Sequence, residues 1–234
     1  MNNVIKDFKV SCKNCNLDSI CFPRGLSQQE IENLSTVVNN NIVIQKGEYI
    51  YRQGDVFSRL VAIKSGTAKE VNFDSQGNEH ILNVLLPGEL AGFDGLYQDK
   101  YNCSVIALEQ ISFCELPAEQ LDTVCSKIPG ITRELFKHSS EVIIESQNRV
   151  VSNKGSAETK LALFLINLSD RLKARGFSPV EFNLPLTRQE IGDHLGLTFE
   201  TVSRTLTHFQ DKGYLRVQRK YIEIKDLTGL RSVF

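Results

Sequence analysis

The stretch Leu186-Thr187-Arg188-Gln189-Glu190-Ile191-Gly192-Asp193-His194-Leu195-Gly196-Leu197-Thr198-Phe199-Glu200-Thr201-Val202-Ser203-Arg204-Thr205-Leu206 decides how the C-terminal part folds. Thr187, followed three residues later by Glu190, forms a capping box that opens a short helix. Ile191 and Leu195 give that helix an inner stripe, and Gly196 supplies the tight turn of a helix-turn-helix. Thr198 caps a second helix with Val202, Leu206 and Phe209 inward and Glu200, Ser203, Arg204 and Thr207 outward. The outer set suits base edges: Glu accepts from cytosine N4, Arg forks onto guanine O6 and N7, and Ser bonds several edges. Thr187, Arg188 and Phe199 complete the candidate DNA-reading set. On an ordinary helix pair the same residues would be a solvated face with a Glu200–Arg204 ion pair. Box, turn and polar face together favour the DNA-reading interpretation.

Working outward, Gly213–Val217 and Tyr221–Ile224 read as two strands of a wing, with Arg216, Arg219 and Lys220 placed to meet phosphates, which positions without specifying. Upstream, Glu158–Arg175 is an amphipathic helix built on Leu161, Leu165, Leu168 and Leu172, with a hinge over 153–156 before it. A long helix from Ile131 to about Ser152 precedes the hinge; about 21 residues at ~1.5 Å each give roughly 31 Å, the length of a spacer or dimerisation element. Leu135, His138, Val142 and Glu145 fall at coiled-coil spacing, so they are the expected dimer interface. A second stripe, Phe136, Ile143 and Val150 with Ile144 and Val151, would then pack on the roll, although the sequence alone does not say which stripe faces which way. In the first arrangement Glu145 meets its own copy, and two carboxylates ~4 Å apart at an effective dielectric near 20 repel by about 4 kcal/mol. The alternative is a Glu145 that is solvated or paired with Arg149.

Between Ile42 and Leu116 the pattern changes. Gly47, Gly54, Gly66, Gly77 and Gly88 punctuate short apolar runs at gaps of 7, 12, 11 and 11, which reads as an antiparallel β-roll. Ser27 to Asn40 reads as a short helix with a Ser27/Glu30 box; Ala118–Ser126 reads as another, broken by Pro129-Gly130. The fold class is α+β, in four blocks: a cysteine-rich leader (1–26), the β-roll (27–118), the dimerisation helix (119–153) and a winged helix-turn-helix (154–234).

The 234 residues carry a net charge of −1, with 41% hydrophobic and 24% charged residues, ordinary values for a globular chain. Residues 1–155 hold 15 Lys+Arg against 19 Asp+Glu and residues 156–234 hold 12 against 9, so any DNA contact must rest on a few placed side chains. The longest apolar run, Leu161–Ile166, is far too short to cross a bilayer, and the first twenty residues lack a secretory pattern; the expectation is a cytoplasmic protein with no membrane partner. No nucleophile–base pair, phosphate-cradling loop or carboxylate dyad is present, and His80, His138, His194 and His208 are scattered, so no enzyme is expected.

Cys12, Cys15 and Cys21 place three thiols within ten residues, a spacing shared by zinc and iron–sulfur sites. Cys103, Cys114 and Cys125 compete for the fourth place. Ile111 and Phe113 share one strand face, leaving Cys114 on the other, available to a leader folded against the roll. Leu17, Ile20 and Phe22 are candidates to shield the site.

At Thr187-Arg188-Gln189-Glu190-Ile191-Gly192 and Glu200-Thr201-Val202-Ser203-Arg204, and in its overall layout, the chain closely resembles the cyclic-AMP receptor protein superfamily, above all its FNR branch of oxygen-responsive regulators. The resemblance implies a 4Fe-4S cluster on Cys12, Cys15, Cys21 and Cys114, the last within Phe113-Cys114-Glu115-Leu116-Pro117; an oxygen-labile, homodimeric regulator; palindromic TTGAT-type half-sites; and an inhibitory acid at Glu145. It also implies RNA polymerase as a partner, touched by loops such as Asp74–Asn78. Phe199 departs from the smaller residue usual there, which bears on the outermost base. Nucleotide-binding members of the superfamily carry an Arg-Ser or Arg-Thr pair where this chain has Tyr101-Asn102, so no cyclic nucleotide is expected. A zinc-stabilised or thiol-redox regulator of the same fold is the alternative reading.

Overall fold

Ser27 caps the first helix and Glu30 closes the box, giving α1 (Gln28–Ser35). The helix stops earlier than the expected Asn40 because Ser35 and Thr36 turn their hydroxyls back onto the carbonyls of Ile31 and Asn33, competing with the helical backbone. The chain then enters β1 (Asn39–Ile44), followed by β2 (Tyr49–Tyr51), β3 (Arg59–Ser65), β4 (Ala68–Phe73), β5 (Glu79–Leu85), β6 (Leu90–Ala91), β7 (Ser104–Ala107) and β8 (Ile111–Pro117). This computed structural model describes Cys12, residues 15–152 and residues 154–234. The rest of the leader before Cys15, Asn153 of the expected hinge and the side chain of Val151 lie outside the described residues.

The strands form two antiparallel sheets, β1-β8-β3-β6 and β2-β7-β4-β5, which is the expected roll. In the first sheet Phe113 pairs with Ile42 on one side and Ile63 on the other, while Cys114 lies opposite Ala62. Alternation then sorts the side chains: Val61, Ile63, Ile111 and Phe113 enter the core between the sheets with Ile50, Tyr51, Tyr101 and Val105. Leu60, Ala62 and Leu116 enter a second core with Phe22, Leu34, Val38 and Ile131, and Cys114 packs against that core. Burial on both faces explains the unbroken apolar run in β3.

After α2 (Leu121–Lys127), α3 runs over Pro129–Ser152. Pro129-Gly130 separates the two helices as expected and also forms the first turn of the second: proline fits the first helical position, where its missing N–H costs nothing, and Glu30 Oε1 accepts from the Gly130 amide at 3.1 Å. Beyond it come α4 (Ala157–Ala174), β9 (Glu181–Asn183), α5 (Arg188–Leu195), α6 (Phe199–Asp211), β10 (Leu215–Gln218), β11 (Tyr221–Ile224) and α7 (Leu227–Arg231). The wing is three-stranded, β10-β11-β9, because Phe182 pairs with Ile222; three residues of β9 are too few for a sequence periodicity to show.

By contacts the chain divides into two units, one of residues 1–72 and 85–139 and one of residues 73–84 and 140–234. The first holds most of the roll and the start of α3; the second holds the β4–β5 turn, the rest of α3 and the winged helix-turn-helix.

Candidate metal centre and DNA-reading face

Cys12, Cys15, Cys21 and Cys114 line one cavity of about 20 Å³, with Leu17, Phe22 and Lys64 also in its wall. Turns bring the leader thiols there: Cys15 N–H donates to Cys12 O and Arg24 N–H to Cys21 O. Burial raises the Cys21 thiol well above its ordinary value, and the neighbouring Cys114, Cys12 and Cys15 raise it further, a sign of how near the four lie. Burial also raises Cys12, opposed by a hydrogen bond from Ser35. Among the described residues no three His, Cys, Asp or Glu side chains form a closed ligand shell, so the thiols share a space without having converged. Cys103 lies in the core between the sheets, and Cys125 packs on the second core; neither lines this cavity. Of the expected shielding residues, Leu17 and Phe22 are in the cavity wall, whereas Ile20 sits against Gly88, its Cδ1 2.8 Å from where a Cβ there would lie.

The leader is fastened to α3 by contacts the sequence did not disclose. Arg24 Nε donates to Glu134 Oε2 at 3.0 Å and Lys137 Nζ to Glu134 Oε1 at 2.5 Å. Gly25, at φ +73°, lets the chain turn where a Cβ would come within 2.9 Å of Glu134 Oε1. Glu30 joins a second pair of elements: Oε2 accepts from the Ser27 amide and hydroxyl at the start of α1, and Oε1 from Gly130 at the start of α3.

In the second unit, Thr187 and Glu190 form the expected box, and Gly196 closes α5 at φ +63°, where glycine avoids the Cβ clash of a left-handed residue. Thr198 caps α6, whose inner face buries Val202, Leu206 and Phe209. Glu200, Arg204 and Thr207 are exposed, Phe199 is 45% exposed and Ser203 is half-buried. Arg188 NH1 donates to Ser203 Oγ at 3.3 Å, tying the first turn of α5 to the middle of α6. The Glu200 carboxyl is held below its ordinary range, first by its own backbone N–H, then by the Thr198 hydroxyl and by Arg204, so it is an ionised acceptor facing outward. In the wing, Arg216 pairs with Glu223 at 3.8 Å, Lys220 Nζ donates to Pro185 O at 3.3 Å, and Arg219 sits at positive φ in the turn.

The phase of α3 divides the residues of the expected dimer seam between two sides of the helix. Leu135 packs on the second core of its own roll and His138 meets Phe93 with the rings tilted and their centroids 4.7 Å apart, because this side of the helix is needed to cover that core. The opposite stripe is the open one: Phe136, Ile143 and Val150 are 72%, 57% and 63% exposed, flanked by Val142 and Ile144. Glu145 does not lie on that stripe; it lines a cavity with Arg149, Lys160 and Arg171.

Between the sheets, Tyr51 and Tyr101 stack with centroids 3.8 Å apart and Phe57 meets Tyr101 edge-on. The Tyr101 hydroxyl donates to Arg59 O and accepts from the Arg59 and Ser58 amides.

A roll of this topology, followed by a long helix and a winged helix-turn-helix, is the architecture of a DNA-binding transcription regulator. The comparisons agree. Residues 42–127 match the model of the cyclic nucleotide-binding domain and residues 159–233 that of the Crp-like helix-turn-helix domain. The transcriptional activator protein FnrA of Stutzerimonas stutzeri is 40% identical over 220 residues, covering 94% of this chain and 90% of that protein. The fumarate and nitrate reduction regulatory protein of Salmonella typhimurium is 38% identical over 225 residues, covering 96% and 90%. Among solved structures, FixK2 of Bradyrhizobium japonicum matches with a TM-score of 0.77 at 22% identity, over 84% of this chain and 97% of that one. The chain belongs to the CRP/FNR family of transcription regulators, on its FNR branch. Among the described residues, no helix is long and apolar enough to cross a membrane.

Proposed function

We propose that this protein is an oxygen-responsive regulator of anaerobic genes, carrying a 4Fe-4S cluster on Cys12, Cys15, Cys21 and Cys114. The observation that carries the reading is that these four thiols, three from the leader and one from β8, line a single cavity. Four sulfurs are the donor set of such a cluster, and FNR-named relatives support the choice. At about 20 Å³ the space between the thiols has room for roughly one water. When bound, the cluster supplies an oxygen-labile crosslink between leader and roll.

The chain's own residues do the rest. Arg24–Glu134 and Glu30–Gly130 couple the leader's seating to the start of α3. A change in that seating has differential contacts with which to shift the population of dimer. Phe136, Ile143 and Val150, at heptad spacing, face a second copy of the chain. Two-fold symmetric half-sites ~34 Å apart, of TTGAT type, require such a dimer, with Glu200, Ser203 and Arg204 at the bases and Phe199, Thr187 and Arg188 around them. The turn at Asp74–Asn78 is the surface assigned to RNA polymerase. Cyclic nucleotide has no part in this reading, since Tyr101-Asn102 stands where the resemblance places an Arg-Ser or Arg-Thr pair, and the Tyr101 ring is buried against Tyr51.

The same four thiols suit zinc, which is the second reading. Anaerobic purification separates the two. The cluster gives a brown protein that bleaches in air and loses its DNA shift on the same timescale. A colourless protein with one zinc per chain, or a metal-free one that still binds its operator, removes the iron reading. Cys114→Ser should abolish four-iron stoichiometry, while Cys103→Ser and Cys125→Ser should retain it.

A further inference from the structure

A second cavity, in the C-terminal unit and independent of the cysteine site, encloses about 430 Å³, within the roughly 300–1,000 Å³ usual for small-molecule sites. Its wall is divided by chemistry. α4 presents an apolar floor of Leu163, Phe164 and Leu168, and Leu195 and Pro185 extend it. Arg149 of α3 and Lys160 and Arg171 of α4 bring three cations to the same space, against the single carboxylate of Glu145. His194 adds no charge at neutral pH: burial foremost, then Arg149 and Arg171, lowers its pKa despite its bond to Ile81 O. Asn83, Asn148 and Asn167 supply amides.

The cations are held in position by backbone acceptors. Lys160 Nζ donates to Leu195 O at 3.2 Å, Arg171 to Val84 O and Arg149 to Leu82 O. Three cations oriented in advance, against one carboxylate, in the same wall as an aromatic ring and three leucines have the complementarity of a binding pocket for an anionic group on an apolar body.

We propose that this cavity is a ligand site for a small amphipathic organic anion: an aromatic or acyl body on Phe164 and Leu163, with its carboxylate, sulfonate or phosphate on Arg171, Lys160 and Arg149. Leu195 and His194 are the last residues of α5, the first helix of the DNA-reading pair, so an occupant touches the element that carries Arg188. Occupancy is thereby linked to DNA affinity, and the effect is reciprocal.

The test uses the full-length protein and anilinonaphthalene sulfonate, an aromatic sulfonate that brightens in apolar surroundings. One saturable site per chain is expected, weakened about tenfold or more by Arg171→Glu or Lys160→Glu and blocked by Asn167→Trp, which fills the cavity. Phe136→Ser, on the open stripe of α3, should leave that site intact. Dye binding that is absent, or indifferent to all three cavity substitutions, overturns the proposal. A readout that needs no variant is the methyl spectrum of the unmodified protein: dye should shift Leu163 and Leu195, and shifts confined to Ile143, Ile144 and Val150 would refute the site.

Discussion

Arg24→Ala and Glu134→Ala break the same ion pair but should differ in cost. Removing Glu134 releases two cations whose side chains are 35% (Arg24) and 56% (Lys137) exposed, and both can be hydrated where they stand. Removing Arg24 strands a carboxylate on a side chain only 9% exposed. Orphaning a buried charge costs roughly 3–5 kcal/mol; Lys137 still neutralises part of it, so about 2–3 kcal/mol is expected for Arg24→Ala. For Glu134→Ala, lost charge-assisted bonds discounted for solvent exposure leave about 1–2 kcal/mol. The double variant should cost less than the sum, with a coupling of about 1–2 kcal/mol. Urea unfolding followed by circular dichroism on the four proteins measures all three quantities. Equal costs, or additivity within about 0.3 kcal/mol, would refute the claim that Glu134 is the buried partner. The pH dependence gives a further check. Burial raises the Glu134 carboxyl, but hydrogen bonds from Lys137 and Arg24 outweigh it and hold it below its ordinary range. Because the folded value is the lower one, the pair's contribution is complete at neutral pH and fades as acidification passes through that value. The gap between Arg24→Ala and the parent should therefore close in acid.

Ile143→Glu should weaken anaerobic dimerisation by about a hundredfold or more in sedimentation equilibrium, since it buries a charge in the seam; an equal effect from a Glu at His138 would return the seam to the other stripe. Arg204→Ala should cost about 1–3 kcal/mol of operator binding and relax preference at one base pair, whereas Arg216→Ala should weaken all sequences alike and flatten the salt dependence; competition gel shifts separate these outcomes. His194 is held neutral by burial, so its stabilising contribution is present above its ordinary value and declines as pH falls below it, by at most ~1.4 kcal/mol per pH unit. His194→Gln should flatten that part of the stability profile, and an unchanged profile would place the acid sensitivity elsewhere.

The helix-turn-helix was legible because every signal in it is local: the Thr187/Glu190 box, the Gly196 turn and the inner stripe of α6 lie within a few residues of one another. Cys114 was separable from Cys103 and Cys125 because strand alternation fixes which face it takes once Ile111 and Phe113 are assigned inward. The phase of α3 was not legible. Two apolar stripes run along it, and which one covers the core depends on Phe93 and the cluster around Leu116, contributed by distant parts of the chain. Arg24 and Glu134 are 110 residues apart, and neither sits in a pattern that announces the other. Pro129-Gly130 marked the break between α2 and α3 correctly; what it left out is that the dipeptide itself is the first turn of α3, where the Glu30 carboxylate meets the Gly130 amide.

The Tyr101 hydroxyl holds two amides and a carbonyl at 58–59, so the residue standing where the resemblance places the phosphate-binding arginine of nucleotide-binding members is a strut of the roll. Installing that arginine alone would strand those backbone groups and unseat the partner ring of Tyr51. A redesign toward second-messenger control would therefore have to satisfy the Ser58 and Arg59 backbone groups anew as well as supply the cation.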